Sequence, residues 1–589
     1  MRRRVFATVA AAAVVAGVWL QNRGAVHNKL DRALAEWLSH PSTTTRVLIR
    51  TQEGSSPDVA RRFPVLREVS GARNLLVADV SASELRALTA DRNVLRASSD
   101  ALVRTLGSKY LDDDLLLNSE GLLPRQYDGH EITVAVVDSG IQANPDERVQ
   151  ATYDFTNGGR GKKGENEDAF GHGTHVAGLI ASKGETSDKL YEGVAPGARL
   201  IALRALDSEG VGYTSDVINA INFAIANREE LKIDILNLSL GHPIYEAAAT
   251  DPLVDAVERA AAAGIVVVVS AGNFGGDPAT KISGYGGITS PGNAPNAITV
   301  GALEIADTPA RSDDAVAWYS SRGPTWYDGF QKPDIVAPGS HMVSDVPSTS
   351  TLATHYPRGL VKKSATTLTR LSGTSMSAGV VSGIVALVLD ASRSHFKDKD
   401  FRLTPNAVKA ILEYTAIPLQ GADALTQGAG AVNAAGAIAL AEVLDPRRSV
   451  GSSWLTAGID RQTTIAGQSL SWGQRVVWGD RVVWGDQIFN NDPAWALRVV
   501  WGDRVVWGDR VVWGDSTVWD GNAAVWGSRV VWGDSMIGEI LGSWVHWGSL
   551  GGATTADRVV WGDLQGLNIA PTALSWSNLE QANGDLLAK

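Results

Sequence analysis

Between residues 121 and 445, short β-branched runs alternate with helical stretches, and this alternation admits few folds. The runs cover residues 133–137, 235–238, 265–269 and 298–300, and helical patterns cover 214–227, 253–263, 376–392 and 405–414. Strands that are apolar at successive positions have no face to give to water. Interleaved with helices, they predict an α/β fold, a parallel sheet with helices on both faces. Ligands of such sheets sit beyond the carboxyl ends of the strands. Asp138 follows the first run directly and Asn273 lies just past the third, so both fall where chemistry belongs.

Composition narrows the classes further. At 589 residues the chain exceeds one ordinary domain, and 44% apolar residues allow a sizeable core. A net charge of −11 without a long basic stretch carries no signature of nucleic-acid binding. Cysteine is absent, which excludes disulfides and thiolate-ligated metals. A core of this size stands without such staples.

Three glycine-rich contexts hold the residue types of a nucleophile and its base. Asp138 lies in TVAVVDSGI, His172 in GHGTHVAG and Ser375 in LSGTSMSAG, in that order. A serine in a glycine-rich turn is by itself only a turn, and an isolated histidine is more often a core residue. Together the three point to acyl transfer through an activated serine. Ser375 precedes an apolar Ala/Val run, which puts its hydroxyl at a helix N-terminus where the dipole favours developing negative charge.

These motifs, with VVVSAGN around Asn273, SSRGP at residues 320–324 and KPDIVAPG at residues 332–339, resemble the subtilase (subtilisin-like serine protease) family. The resemblance covers residues 115–445 and implies a subtilisin-like peptidase domain. It implies His172 as general base, Asp138 as its partner, Ser375 as nucleophile and Asn273 as oxyanion donor, with His175 structural. It further implies that an extended peptide pairs with Gly210, Val211 and Gly212 on one side and Ser239, Leu240 and Gly241 on the other. Leu240, Gly241, Ala271 and Gly272 would wall the specificity pocket, which carries no charge, so tolerance with a weak apolar preference is expected. Two features depart from the family pattern: no proline follows the nucleophile closely, and residues 182–193 lack the Asn-rich calcium loop. Asp146 matches a ligand of the family's first calcium site; structural calcium is plausible but not assignable by residue, and the chemistry itself needs no cofactor.

The flanks differ from this block. Arg2, Arg3 and Arg4 lead an uncharged Ala/Val-rich run at residues 5–20, so residues 1–25 read as a signal peptide or an anchor, and the protein as secreted or held at the cell surface. Residues 40–106 read as a small α+β unit, with strands at 46–50 and 74–80 and a helix at 81–91 capped by Ser81. Its pattern and position resemble the inhibitory propeptide of subtilases. After residue 450, RVVWGD occurs seven times, beginning at Arg475, Arg481, Arg498, Arg504, Arg510, Arg529 and Arg558. Fifteen of the nineteen tryptophans fall there. A period of six does not fit a helix, whereas short strands broken by Gly-Asp turns do fit, with Trp stacked over Trp and Arg over Asp. Residues 450–589 thus read as a β-rich repeat tail that self-associates or binds a surface.

The expectation is a secreted serine endopeptidase of broad specificity, acting on polypeptides and made as a precursor inhibited by its own propeptide. The alternative is a surface or structural adhesion protein built on the Trp repeats, with the peptidase serving only self-maturation.

Overall fold

The structure is a computed structural model that describes residues 29–484, apart from residues 40, 42–43, 106–115, 123–124, 277–281, 307, 364–366, 398–401, 450–451, 473–474 and 479–480. The expected signal or anchor, and the repeats that begin after residue 484, lie outside the described residues.

A nine-stranded sheet forms the centre. From one edge its strands run Ala315–Val316, Ile298–Glu304, Val266–Ser270, Ile235–Leu238, Thr133–Asp138, Arg199–Arg204, Val149–Asp154 and Lys162–Lys163, and Ile335–Pro338 pairs with Ile298–Glu304. All pairings are parallel except those of the two short edge strands. The inner strands are buried at every position, as their unbroken apolar runs require.

One face carries Thr374–Phe396, His172–Ala181, Pro405–Thr415 and Ala434–Val443, and the other carries Thr214–Ala226 and Pro252–Ala262. Each expected helix is present, with ends shifted by a few residues. Thr374–Phe396 is long and apolar enough to cross a membrane, yet its most apolar stretch is wholly buried in the protein, so it is a core helix here.

The N-terminal unit is a four-stranded antiparallel sheet in the order Arg67–Glu68, Leu75–Val80, Thr45–Thr51, Val94–Ser99. Helices Ser56–Arg62 and Ala82–Ala90 close a core of its own that includes Val47, Ile49, Leu76, Leu85 and Leu88. Ser81 and Glu84 form a capping box at the second helix. The opposite sheet face, through Leu48, Leu75 and Val77, joins the core under Thr214–Ala226 and Pro252–Ala262.

Past residue 450 the chain turns back onto the central block. Trp454 and Trp472 are 0% and 3% exposed and belong to its core. Trp472 packs edge-on to Tyr414 and donates from Nε1 to Thr463 Oγ1 at 2.9 Å. The first two repeats then pair as an antiparallel hairpin, Arg475–Trp478 with Arg481–Trp484. Its register sets Val opposite Val and Arg opposite Trp, so within this hairpin Trp does not lie across from Trp.

Candidate active site

Asp138 ends the central strand, and His172 begins the helix that follows the Asp168–Gly171 loop. The helix can press this close because residue 173 is glycine: a Cβ there would meet the Gly140 carbonyl at 2.1 Å. His172 Nδ1 consequently lies 2.9 and 3.0 Å from the two Asp138 carboxylate oxygens. Both residues are buried. A carboxylate at that nitrogen accepts its proton and leaves Nε2 as the basic atom. His172 Nε2 is buried and carries no hydrogen bond among the described residues.

Ser375 is the second residue of Thr374–Phe396, with Gly373 before the helix. Its Oγ donates to the Ser239 carbonyl at 3.1 Å, and Ser239 Oγ donates back to the Ser375 carbonyl at 3.0 Å. Asn273 follows the strand Val266–Ser270. Its Oδ1 accepts from Thr374 N and from Thr374 Oγ1, both at 3.0 Å. Two donors on Oδ1 fix which end of the amide is which. Nδ2 is therefore a buried donor with no partner among the described residues. Thr374 was not legible as a site residue from the sequence, because only the fold brings it to Asn273.

The expected substrate-binding segments also converge. Val211–Tyr213 and Leu240–Pro243 face each other across one strand of the chain itself, Leu102–Thr105. That strand runs antiparallel to both, with Gly212 opposite Val103, Tyr213 opposite Leu102, Gly241 opposite Arg104 and Leu240 opposite Thr105. Gly210 precedes the first segment in a positive-φ turn, and Ala271 and Gly272 lie beside Asn273 at the end of the Val266–Ser270 strand. Val103 is fully buried in the core that contains Leu206 and Leu240.

Polar contacts hold the N-terminal unit in register. Asp100 accepts from Ser215 N and Oγ, each at 2.8 Å, at the start of Thr214–Ala226, and from Arg46 Nε at 2.6 Å. Arg46 also lies over the Tyr213 ring, 4.3 Å from its centroid. Arg96 pairs with the buried Glu246.

His175 takes no part in this constellation. Its Nε2–H donates to the Met342 and Thr369 carbonyls, each at 3.1 Å, and burial pushes its pKa down to about 3. It is a neutral structural residue, as the resemblance implied.

Asp146 does not fit a calcium ligand. Its carboxylate accepts from Glu185 N at 2.6 Å, Thr186 N at 3.1 Å and the Thr186 hydroxyl. Donors rather than carbonyl oxygens face it, the inverse of a cation's ligand set. The neighbouring Glu147 and Asp345 are buried: burial, then the charge of a nearby carboxylate, raises Glu147 well above the usual range and Asp345 to about 7. Among the described residues, no group of three or more His, Asp or Glu side chains is arranged to hold a metal ion.

The sequence compares with known proteins as this geometry suggests. Residues 129–439, more than half of the chain, match the model of the subtilase family. The chain belongs to that family. Its central block is thus the domain of a subtilisin-like, serine-type endopeptidase. This subtilase is 41% identical over 315 residues to the serine protease AprX of Bacillus subtilis, a match covering 52% of the chain and 66% of AprX. It is 31% identical over 317 residues to subtilisin E of the same organism, covering 54% of the chain and 70% of that protein. Fervidolysin from Fervidobacterium pennivorans, a keratinolytic enzyme related to subtilisin, shares the fold with a TM-score of 0.52 at 22% identity, over 71% of this chain and 63% of its own.

Proposed function

We propose that this subtilase is a serine endopeptidase with Asp138, His172 and Ser375 as catalytic triad, made as a precursor inhibited by its own N-terminal unit. One observation carries the reading: a buried Asp138–His172 pair with a free Nε2, on a helix packed against the helix that holds Ser375 in its first turn. In the reaction, Ser375 Oγ turns from the Ser239 carbonyl and attacks the scissile carbonyl carbon while His172 Nε2 takes its proton. Asp138 holds the imidazole by Nδ1 and stabilises the imidazolium. The oxyanion receives Asn273 Nδ2 and the Ser375 N–H, and the helix dipole points the same way. His172 then protonates the leaving amine, and water releases the acyl group by the reverse path. No cofactor enters these steps.

Substrates bind as an extended strand between Val211–Tyr213 and Leu240–Gly241, in the place of Leu102–Thr105. Backbone pairing gives affinity with little side-chain choice, which supports broad specificity. The burial of Val103 supports one apolar preference, at the substrate position that replaces it. The same strand supports self-inhibition, with processing expected between residues 106 and 115. The Arg-led apolar start of the chain supports export, to the medium or the cell surface.

The test compares wild type with Ser375→Ala for loss of the N-terminal unit and for cleavage of an unrelated unfolded protein. Wild type is expected to do both and the variant neither; if neither protein cuts, the enzyme reading fails. The seven repeats favour a second reading, a surface or structural protein whose peptidase serves only its own maturation. Wild type that processes itself and cuts nothing else selects it. Asn273→Ala should lower kcat by about 10²–10³-fold with Ser375 still essential, the usual cost of an oxyanion donor. Full turnover in that variant contradicts the assignment.

A further inference from the structure

Asp168, four residues before His172, takes no part in the chemistry above, yet the polar groups around the Asp138–His172 pair converge on it. It is fully buried, and its two oxygens accept four hydrogen bonds. Oδ1 accepts from Ser139 Oγ and Gly171 N, each at 2.8 Å; Oδ2 accepts from Thr174 N at 2.8 Å and Thr174 Oγ1 at 2.7 Å. Ser139 Oγ in turn accepts from Gly173 N at 3.0 Å, and Ser139 N donates to Asp138 Oδ1 at 2.7 Å. Thr174 Oγ1 accepts from Gln142 N at 2.9 Å, beyond the Asp138 turn.

The N–H groups of residues 171, 173 and 174, on both sides of His172, therefore end on Asp168 or Ser139. The residue before the helix is Gly171, which has no side chain to cap it. Asp168 satisfies that helix start and, through Ser139, also grips the turn that carries Asp138. The charged form suits the site, because every neighbour offers a donor. Burial works against it and raises the Asp168 pKa above the usual range despite the four hydrogen bonds.

We propose that Asp168 is a positioning residue of the triad, joining the Asp138 turn to the His172 helix so that the imidazole and carboxylate meet at hydrogen-bond distance. Asparagine cannot replace it. One end of the amide is an acceptor, but the other is a donor facing the Thr174 N–H, which is then left without an acceptor. Displacing reacting groups by about 1 Å costs on the order of 10²-fold in rate.

The inference rests on the triad reading, so the experiment separates the two. In the full chain, Asp168→Asn should lower kcat about 10²-fold with KM nearly unchanged, and should move the downfield proton resonance of the His172–Asp138 hydrogen bond. Ser139→Ala, which keeps the carboxylate but removes the hydroxyl that ties it to the Asp138 turn and to Gly173 N, should give a smaller loss of the same kind, and it covers the case in which Asp168→Asn fails to fold. His172→Ala is the reference. If it retains activity, the triad reading is at fault. If it is inactive while folded Asp168→Asn and Ser139→Ala keep wild-type kcat and resonance, losing thermal stability alone, Asp168 is merely structural and the inference is overturned.

Discussion

The N-terminal unit and the stretch at residues 452–472 both pack on the peptidase block, but they attach by opposite means. The N-terminal unit has a core of its own and meets the block through the sheet face under two helices, a backbone strand in the cleft, a carboxylate at a helix start and ion pairs. The later stretch has no separate core and instead inserts Trp454 and Trp472 into that of the block. A segment with its own core survives detachment, whereas one that lends its large side chains to another core does not. The difference fits the proposal of a removable inhibitor for the first, whereas the second shares the core of the peptidase block beyond the matched residues 129–439.

The sharpest way to break this contrast is Trp472→Ala. Truncating a buried tryptophan costs about 3–5 kcal/mol, and the Thr463 hydroxyl also loses a donor. Thermal unfolding of the peptidase block should fall accordingly, with activity per folded molecule unchanged. A stability equal to wild type would make residues 452–472 a mere spacer.

Asp100→Ala probes the other attachment. It removes the acceptor at the start of Thr214–Ala226 and the shortest ion pair of Arg46, which is partly exposed and keeps Asp79 and the Ser215 hydroxyl. A loss of about 2 kcal/mol follows, so inhibition of the processed peptidase by its N-terminal unit should weaken roughly 30-fold. Unchanged inhibition combined with a destabilised peptidase would place Asp100 in the fold instead.

The smallest effect concerns pH and lies in the block itself. Asp345 has its pKa raised in the folded state to about 7, so that state holds a proton which the unfolded chain releases near 4. The stability this contributes is complete below pH 4 and is lost as pH rises through 7. Facing it are Glu147, Asp146 and Ser182. Asp345→Asn should flatten the fall in unfolding free energy between pH 5 and 6 by about 1 kcal/mol. An unaltered slope would mean that Asp345 is ionised throughout.

How much of this was legible depends on how local the cause is. The inner strands and Thr214–Ala226 or Pro405–Thr415 declare themselves through apolar runs and helical spacing, so the sheet followed from sequence. Asp138, His172, Asn273 and Ser375 each sit in a short diagnostic motif. Asp168 does not: in GENEDAFG it stands near Glu165 and Glu167, and only the folded loop shows which acid is buried. The insertion of Leu102–Thr105 was equally hidden, since its partners begin at Val211 and Leu240, more than a hundred residues on. Trp454 and Trp472 look like members of the repeat tail, and burial alone sets them apart.

The central claim is a peptidase site at Ser375 covered by the chain's own strand. It is tested most directly by labelling with an organophosphorus fluoride and locating the modified residue by mass spectrometry. Modification of Ser375 is expected, together with its loss in His172→Ala and slower labelling while residues 29–105 remain attached. Labelling at another serine, or at equal rates in precursor and processed protein, would contradict it.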